Sequence, residues 1–416
     1  MVQELTRSQV STPDSTTFPA SAPAAYPVFY RTYSRKNDGV RESWPEVVDR
    51  TVAGLVKLGN LTPEEGELIR RNQSQLHALT SGRWLWIGGT AWSENPKNFS
   101  GAYNCTSTNA DDWRAFGLMM DLAMMGCGTG AVLEPCYIDK LPAIRNPIDL
   151  TVEPDLGVTP VDQRREETQV TIDAHHVTIK VGDSRQGWVA SYQTLLELSS
   201  DDRFTGPIHV TVNLHDVRPA GEALKGFGGV ANPVKLPEMY QKCVGLLNKA
   251  VGRQLNSVEC CLLIDEAAVT IVAGNIRRSA GIRQFSDADA LGGSAKDNLW
   301  QQDDNGNWRI DPERDALRMA NHTRVYHHKP SIEEMTAAVR KQFYSGEGAI
   351  QYAPEAIARS NADLLSEPIL KQEFLEVYTS LGREEAKGWL RQRYPAMPED
   401  ELEHRFQRYG LNPCGK

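Results

Sequence analysis

One segment, residues 257–273, constrains the possible folds of this chain more than any other. It is almost continuously apolar, and Glu259, Asp265, Glu266 and Thr270 are its main interruptions. Apolar side chains on every side of a segment favour burial, so we expect this element at the centre of a domain. The chain has 416 residues, 40% of them hydrophobic, and can enclose such a core. It contains no run of about 18 apolar residues, so no transmembrane helix is predicted.

The overall composition limits the functions open to the chain. A net charge of -9 and a pI near 5.6 argue against general nucleic-acid binding, which depends on Lys and Arg, but they permit a small anionic ligand. The 7 cysteines are scattered and form neither a disulfide framework nor a CxxC zinc pattern. Because residues 1–26 also lack the apolar core of a signal peptide, the sequence favours a reducing cytoplasm.

A helical unit is expected over residues 27–100. The preceding residues 1–26 are rich in Ser, Thr, Pro and Ala, and we expect them to be a disordered tail. Apolar residues recur at helical spacing between Pro45 and Leu58. Thr62 and Glu65 form a capping box, with Pro63 at the first helical position, which predicts the start of a second helix.

A second region begins near residue 101. Asn109 is placed to cap a helix that starts at residues 111–112. Four large apolar residues on one face of that helix are assigned to the core: Trp113, Phe116, Met120 and Met124. Three glycines within residues 126–130 predict a sharp loop that comes close to a ligand, although the Lys-Ser/Thr pair of a P-loop is missing. A buried strand is expected to resume at Val132.

The middle of the chain carries several polar candidates. Residues 170–181 favour a strand that is interrupted at 173–176. The pair His175 and His176 is typical of metal sites, but no third ligand at a usable spacing accompanies it, so no metal site is predicted. Asp183 or Ser184 can cap the helix that follows, or contact a nucleotide.

Two later segments are suited to an anion. Lys225 lies in a loop of small residues at 225–229, and the adjacent Arg277 and Arg278 follow the apolar segment. Taken alone, the two arginines are more typical of a solvated helix end. Residues 284–304 are a polar segment, and Ser331 begins a second capping box.

The last six residues place a single cysteine between proline and glycine. Pro413 restricts the backbone on its own side, and Gly415 permits a tight turn on the other. Cys414 is therefore expected at the tip of a short constrained loop, which is a way to present a reactive side chain. The alternative is a frayed end with an inert cysteine.

Six blocks in this order resemble the large subunit of ribonucleotide reductases, most closely the monomeric adenosylcobalamin-dependent ribonucleoside-triphosphate reductases. They are Tyr103-Asn104-Cys105, Met125-Gly126-Cys127-Gly128-Thr129-Gly130, Gly182-Asp183-Ser184-Arg185-Gln186-Gly187-Trp188, Arg218-Pro219-Ala220-Gly221 with Lys225-Gly226-Phe227-Gly228-Gly229, Val272-Ala273-Gly274-Asn275-Ile276-Arg277-Arg278-Ser279-Ala280, and Asn412-Pro413-Cys414-Gly415. The resemblance implies an α/β fold. Residues 101–416 are expected to form the first half of a ten-stranded α/β barrel, with an inserted effector-binding region at about 137–300.

The resemblance also implies the chemistry of the site. Cys414 matches the cysteine whose thiyl radical abstracts the 3′-hydrogen of the ribose. Water then leaves from C2′, and two thiols supply electrons as they become a disulfide; Cys105 matches the first of them. Asn412 matches a residue that hydrogen-bonds the ribose. Where the family has a glutamate base, this sequence has Lys416, whose ammonium group cannot accept a proton at neutral pH unless its pKa is lowered by several units.

Further residues are carried over by the same resemblance. Substrate contacts are expected from Asn104, Thr106, Gly126, Gly128, Pro413 and Gly415. Contacts to a deoxynucleoside triphosphate effector are expected from Asp183, Ser184, Arg185, Lys225, Arg277, Arg278 and Ser279. The implied cofactor is adenosylcobalamin, bound by segments outside this chain. The implied partners are a ribonucleoside triphosphate, a thioredoxin-type reductant and a C-terminal remainder of the enzyme, with no nucleic acid and no membrane.

Other interpretations stay open at this point. The resemblance stops where such enzymes continue for several hundred residues, so we expect an N-terminal portion that is inactive alone. It could arise by truncation, by a split gene, or from an intein for which Cys414 is the splicing nucleophile. A nucleotide-binding precursor is a competing function, and a glycyl-radical lyase is a weaker one. The sequence names neither the substrate base nor a preference for triphosphate over diphosphate.

Overall fold

The structure, a computed structural model, describes residues 18–37, 39–222, 231–273 and 280–413. These residues fall into two units, one ending at Asn104 and the other beginning at Cys105. Among the helices within these ranges, none is long and apolar enough to cross a membrane.

The first unit is helical, and its helices start where local capping signals place them. Ser43 and Thr62 each take part in a capping box, and the predicted helix after Thr62 is confirmed. Phe18 is buried against Phe29 and Trp44, so packed structure already begins inside the segment that the sequence assigned to a disordered tail. The elements are α1 (Tyr26–Thr32), β1 (Lys36–Asn37), β2 (Val40–Arg41), α2 (Trp44–Gly59), α3 (Pro63–Ser74), α4 (Gly82–Ile87) and α5 (Ala91–Glu94), with 3-10 turns at Pro23–Ala25 and Pro96–Ala102.

The second unit is mixed α/β. Its first half comprises β3 (Cys105–Asn109), α6 (Trp113–Met124), β4 (Gly128–Val132), α7 (Pro135–Ile138), β5 (Ile148–Glu153), β6 (Gln169–Asp173), β7 (His176–Lys180), α8 (Arg185–Leu198), β8 (Ile208–Asn213), α9 (Leu236–Lys249) and α10 (Ser257–Ala273). Its second half comprises β9 (Gly281–Ser286), α11 (Ala290–Ser294), β10 (Trp300–Gln302), β11 (Trp308–Ile310), β12 (Asn321–Tyr326), α12 (Ile332–Ser345), β13 (Ala349–Tyr352), α13 (Ala353–Ser360), α14 (Pro368–Leu381), α15 (Arg383–Arg393) and α16 (Glu399–Phe406).

A five-stranded parallel sheet organises this unit. Its strand order is β13-β12-β9-β4-β3, and helices separate the strands along the chain, as parallel connections require. The α/β class predicted from the sequence is confirmed. Closure into a ten-stranded barrel stays a prediction.

Two boundaries near the start of this sheet differ from the prediction. Asp112, not Asn109, is the N-cap of α6, because Asn109 is still paired in β3 and the Asp112 carboxylate accepts the N–H of Ala115 at 2.8 Å. The glycine-rich stretch is a loop only up to Cys127, since Gly128 and Gly130 already belong to β4. The apolar stripe of α6 does face the core.

A second, four-stranded sheet has the order β5-β8-β7-β6. The interruption predicted within residues 170–181 is the turn of an antiparallel hairpin between β6 and β7, with Ala174 at a φ of 50°. One face of β5, β8 and β7 is buried in the main core, through residues such as Ile179 and Val210. The opposite face of the sheet is polar, as expected for strands with one solvated side.

Helix α10 occupies the centre of the main core, as predicted for residues 257–273. Its Asp265 is fully buried and forms an ion pair of 2.7 Å with Arg283 on β9, also fully buried. The strand β9 lies partly in the segment that the sequence analysis treated only as polar. The polar residues Arg283 and Gln284 of β9 are nevertheless buried, because they form hydrogen bonds with residues distant in sequence.

Candidate active site

The first component of the site is the pair of strands β3 and β4. Cys105 opens β3 and lies in register with Gly128, which opens β4. Cys105 is half-buried. A Cβ atom added at Gly128 would lie 3.0 Å from Cys105 Sγ and 3.1 Å from Pro413 Cγ. The structure thus brings three of the predicted site residues, Cys105, Gly128 and Pro413, to one place.

The second component is the terminal segment, which we define as residues 409–413. It lies against β4 at Gly130, which has no side chain. A Cβ atom added at Gly130 would overlap with the carbonyl oxygen of Leu411, so the close approach requires glycine there. A Cβ atom at Gly410 would in turn overlap with the hydroxyl of Ser107 on β3. Glycine in a strand interior is normally unfavourable, and close approach of another backbone is a recognised reason for it.

Two glutamine side chains hold the terminal segment on the sheet. Gln284 on β9 accepts the N–H of Leu411 at 2.7 Å and donates to the carbonyl oxygen of Leu411 at 3.2 Å. Gln351 on β13 donates to the carbonyl oxygen of Tyr409 at 2.5 Å. Both glutamine side chains are buried, so these hydrogen bonds replace ones that the side-chain amides would otherwise make with water.

A buried carboxylate fixes the start of the terminal segment. The hydroxyl of Tyr409 donates to Glu134 at 2.5 Å, and Nε2 of His327 lies 3.0 Å from the same carboxylate. Burial, followed by the negative charge of Glu134, raises the pKa of the Tyr409 hydroxyl well above its ordinary value. The hydroxyl therefore remains a hydrogen-bond donor throughout the physiological pH range.

The remaining predicted substrate residues take backbone or structural positions. Thr106 donates its hydroxyl to the carbonyl oxygen of Gly128 at 3.2 Å, and Gly126 adopts a left-handed φ of 72° just after α6. Within the first unit, the side-chain oxygen of Asn104 accepts from Arg83 at 3.2 Å. Asn412 is half-buried in the terminal segment. Cys414, Gly415 and Lys416 lie outside the described residues.

Three of the predicted effector residues, Asp183, Ser184 and Arg185, have partners within the protein. The carboxylate of Asp183 accepts from the guanidinium of Arg218 at 2.8 Å, and Ser184 is the N-cap of α8. Arg185 forms an ion pair with Asp121, whose pKa is raised because burial outweighs the nearby positive charge. These three residues lie at the start of α8, and each of them has a partner within the protein. Effector contacts stay a prediction.

The other four predicted effector residues, Lys225, Arg277, Arg278 and Ser279, lie outside the described residues.

Sequence reasoning missed the residues that hold the terminal segment. Gln284 and Gln351 carry no motif, and Glu134 and His327 are 193 positions apart. Around Gln284 the order Ile282-Arg283-Gln284-Phe285 lacks the polar-apolar alternation that would have indicated a half-buried strand.

The chain is similar to known proteins in three comparisons. The family model for the insertion domain of B12-dependent ribonucleotide reductase matches residues 155–247. The adenosylcobalamin-dependent ribonucleoside-triphosphate reductase of Levilactobacillus brevis is 30% identical over 317 residues, covering 65% of this chain and 41% of that protein. A putative enzyme of the same name from Mycobacterium phage D29 is 30% identical over 284 residues, covering 63% of this chain and 40% of that protein.

The third comparison concerns the fold. The crystal structure of a B12-dependent (class II) ribonucleotide reductase superposes with a TM-score of 0.58 and 22% identity, covering 72% of this chain and 45% of that one. The chain therefore spans about two-fifths of the length of the curated relatives described above, and less than half of the solved structure.

Proposed function

We propose that this chain serves ribonucleotide reduction. The premise is its similarity in sequence and fold to the N-terminal portion of B12-dependent ribonucleotide reductases. The proposed substrate is a ribonucleoside triphosphate and the product is its 2′-deoxy form. The observation that carries the proposal is the convergence of Cys105 and Pro413 over Gly128. Cys414 follows Pro413 directly in the sequence, and we propose that its thiol acts with the Cys105 thiol on one ligand.

The proposed reaction gives each thiol a separate task. A thiyl radical at Cys414 takes the 3′-hydrogen atom of the ribose, which permits loss of the 2′-hydroxyl as water. Cys105 and a second thiol then supply two electrons and become a disulfide, and the 3′-hydrogen returns from Cys414. Asn412 hydrogen-bonds the ribose. Further substrate contacts are proposed for Asn104, Thr106, Gly126, Gly128, Pro413 and Gly415, the glycines contributing through their backbone.

Adenosylcobalamin is the proposed cofactor and would supply the initial radical. The terminal segment packs against Gly128 and Gly130 of β4, so we do not propose these glycines as cofactor contacts. We accordingly assign no residue of this chain to the cofactor. A thioredoxin-type protein is the proposed reductant, and the proposed location is the cytoplasm.

A deoxynucleoside triphosphate is proposed as an allosteric effector, bound near Asp183, Ser184 and Arg185 together with Lys225, Arg277, Arg278 and Ser279. The proximity of Arg218 to Asp183 supports a polar, charged site at the start of α8. Calorimetric titration with dATP, dGTP and dTTP tests it directly. Absence of binding to the folded chain would remove the effector proposal and leave the catalytic one standing.

Reduction of ribonucleoside triphosphates with adenosylcobalamin and dithiothreitol tests the catalytic proposal. Turnover is expected when the chain is combined with a segment that corresponds to the remainder of its relatives. No turnover is expected for the chain by itself. Cys414→Ala and Cys105→Ala should each abolish thiol-dependent turnover, whereas Cys136→Ser, at an exposed cysteine, should retain it. Full activity of the Cys414→Ala protein would refute the assignment.

A further inference from the structure

The polar face of the four-stranded sheet carries an ordered row of histidines and carboxylates. Register places Asp149 on β5 opposite His209 on β8, His209 opposite His176 on β7, and His176 opposite Asp173 on β6. Residues paired in this way project from the same face. The row therefore runs across all four strands in the order carboxylate, imidazole, imidazole, carboxylate.

The two imidazoles lie side by side. Their ring centroids are 4.9 Å apart, and their planes make an angle of 17°. Both residues are exposed, and the His209 side chain retains 50% of its accessible surface. Small rotations about the side-chain bonds can therefore bring one nitrogen of each ring towards a common point without displacing any core residue.

The carboxylate of Asp149 prepares His209 as a ligand. Nδ1 of His209 lies 2.9 Å from Asp149 Oδ2, and because a carboxylate can only accept, Nδ1 carries the proton. The lone pair of the ring is then on Nε2, facing away from Asp149. A carboxylate that orients a histidine in this manner is the usual second layer of a metal centre.

We propose that His176 and His209 bind one divalent transition-metal ion of the imidazole-preferring class, such as Ni²⁺ or Zn²⁺. The two nitrogens supply two ligands at about 2.0–2.1 Å, and water completes the coordination. Asp149 fixes the His209 tautomer, and Asp173 adds negative charge at the other end of the row. The sequence showed only the neighbouring pair His175 and His176, whereas the fold supplies the second ligand from β8.

Another group of possible ligands is less suited to a cation. Atoms of Cys261, Asp265 and His322 lie within 4.8 Å of one another and are buried. The Asp265 carboxylate is already paired with the Arg283 guanidinium, and positive charge on Lys296 and Arg283 acts on His322. A cation placed there would meet two fixed positive charges, so the row on the sheet is the better site.

Titration of the intact chain with Ni²⁺ by calorimetry tests the proposal independently of any reductase activity. Wild-type protein should show a saturable site that is lost in His176→Gln and in His209→Gln, and weakened about 10-fold in Asp149→Asn. His77→Gln, at an exposed histidine elsewhere in the chain, is the matched control and should bind as wild type.

Circular dichroism of each variant shows whether its fold is intact, and substitution at these exposed positions should leave the spectrum unchanged. Ni²⁺ binding that persists equally in the His176→Gln and His209→Gln proteins would overturn the proposal, because the ion would then be held by other groups such as the cysteines. Absence of any saturable binding to the wild-type chain would overturn it as well.

Discussion

The side-chain amide of Gln284 forms two hydrogen bonds with the backbone of Leu411, 127 residues later in the chain. In effect, one side chain replaces the partner that a neighbouring strand would provide for Leu411. The terminal segment is therefore fixed to β9 without being a strand of the sheet. Its position over Cys105 depends on a few specific contacts.

Loss of the Gln284 side chain should loosen the terminal segment. In Gln284→Ala the half-buried N–H and carbonyl of Leu411 lose two hydrogen bonds, each worth about 0.5–1.5 kcal/mol, so the loss should be about 1–3 kcal/mol. Hydrogen exchange should become faster at residues 409–413. Gln301→Ala, at an exposed position on β10, should change stability by less than about 0.5 kcal/mol and leave that exchange unaffected. Equal exchange in both variants would show that Gln284 does not hold the segment.

The glycines of β4 should not tolerate a methyl group. Gly130→Ala introduces a Cβ that overlaps with Leu411, so the terminal segment must move away and denaturant stability should fall. Gly245→Ala is the matched control, since Gly245 lies in α9 with no atom within 4 Å of an added Cβ. That variant should gain about 0.5–1 kcal/mol, because alanine is the better helix former. Stabilisation by both substitutions would contradict the described position of Leu411.

The buried ion pair of Arg283 and Asp265 should respond very differently to single and double substitution. Burial raises the pKa of the Asp265 carboxyl, and the positive charge of Arg283 opposes that rise. Arg283→Met leaves an unpaired buried carboxylate and should cost about 3–5 kcal/mol. The double variant Arg283→Met with Asp265→Leu should lose much less. Urea unfolding of the four proteins in a double-mutant cycle measures this coupling, and additive losses would disprove it.

His322 should make the folded state sensitive to acid. Burial, followed by the charges of Lys296 and Arg283, lowers its pKa from 6.5 to about 3. Between these two values the unfolded chain binds a proton that the folded chain does not, so stability should fall as pH decreases through this window. The expected contribution is at most about 1.4 kcal/mol per pH unit.

Stability measured against pH for His322→Gln checks this contribution. The variant should lose less stability than wild type between pH 6.5 and pH 3. His404→Gln, at an exposed position on α16, should follow the wild-type curve. A His322→Gln curve parallel to wild type would exclude the contribution.

Local signals were sufficient for much of the helical structure. The capping boxes at Thr62 and Ser331 predicted the starts of α3 and α12, because a cap is made by residues three positions apart. The apolar residues 257–273 predicted a central element, because a segment that is apolar on every side is buried on every side. In these cases the sequence contains both partners of the interaction within one short window.

Strand β9 and the residues that contact the terminal segment could not be predicted in the same manner. Arg283 and Gln284 look like surface residues in sequence, and they are buried only because Asp265 and Leu411 approach them in the fold. Gly128 and Gly130 suggested a loop, whereas they make room on a strand for a backbone from the other end of the chain. Strand β9 and the contacts of the terminal segment were therefore missed because their partners are distant in sequence. The roles of Cys414, Cys105 and Asn412 remain predictions.

The buried pair of Arg283 and Asp265 also restricts how this protein can evolve. A lineage that lost one of the two charges would pass through an intermediate weaker by about 3–5 kcal/mol, a large share of the roughly 5–15 kcal/mol that keeps an ordinary domain folded. Selection should remove most such intermediates before the second change arises. Positions 265 and 283 are therefore expected to covary among homologous sequences, with both charges kept or both replaced.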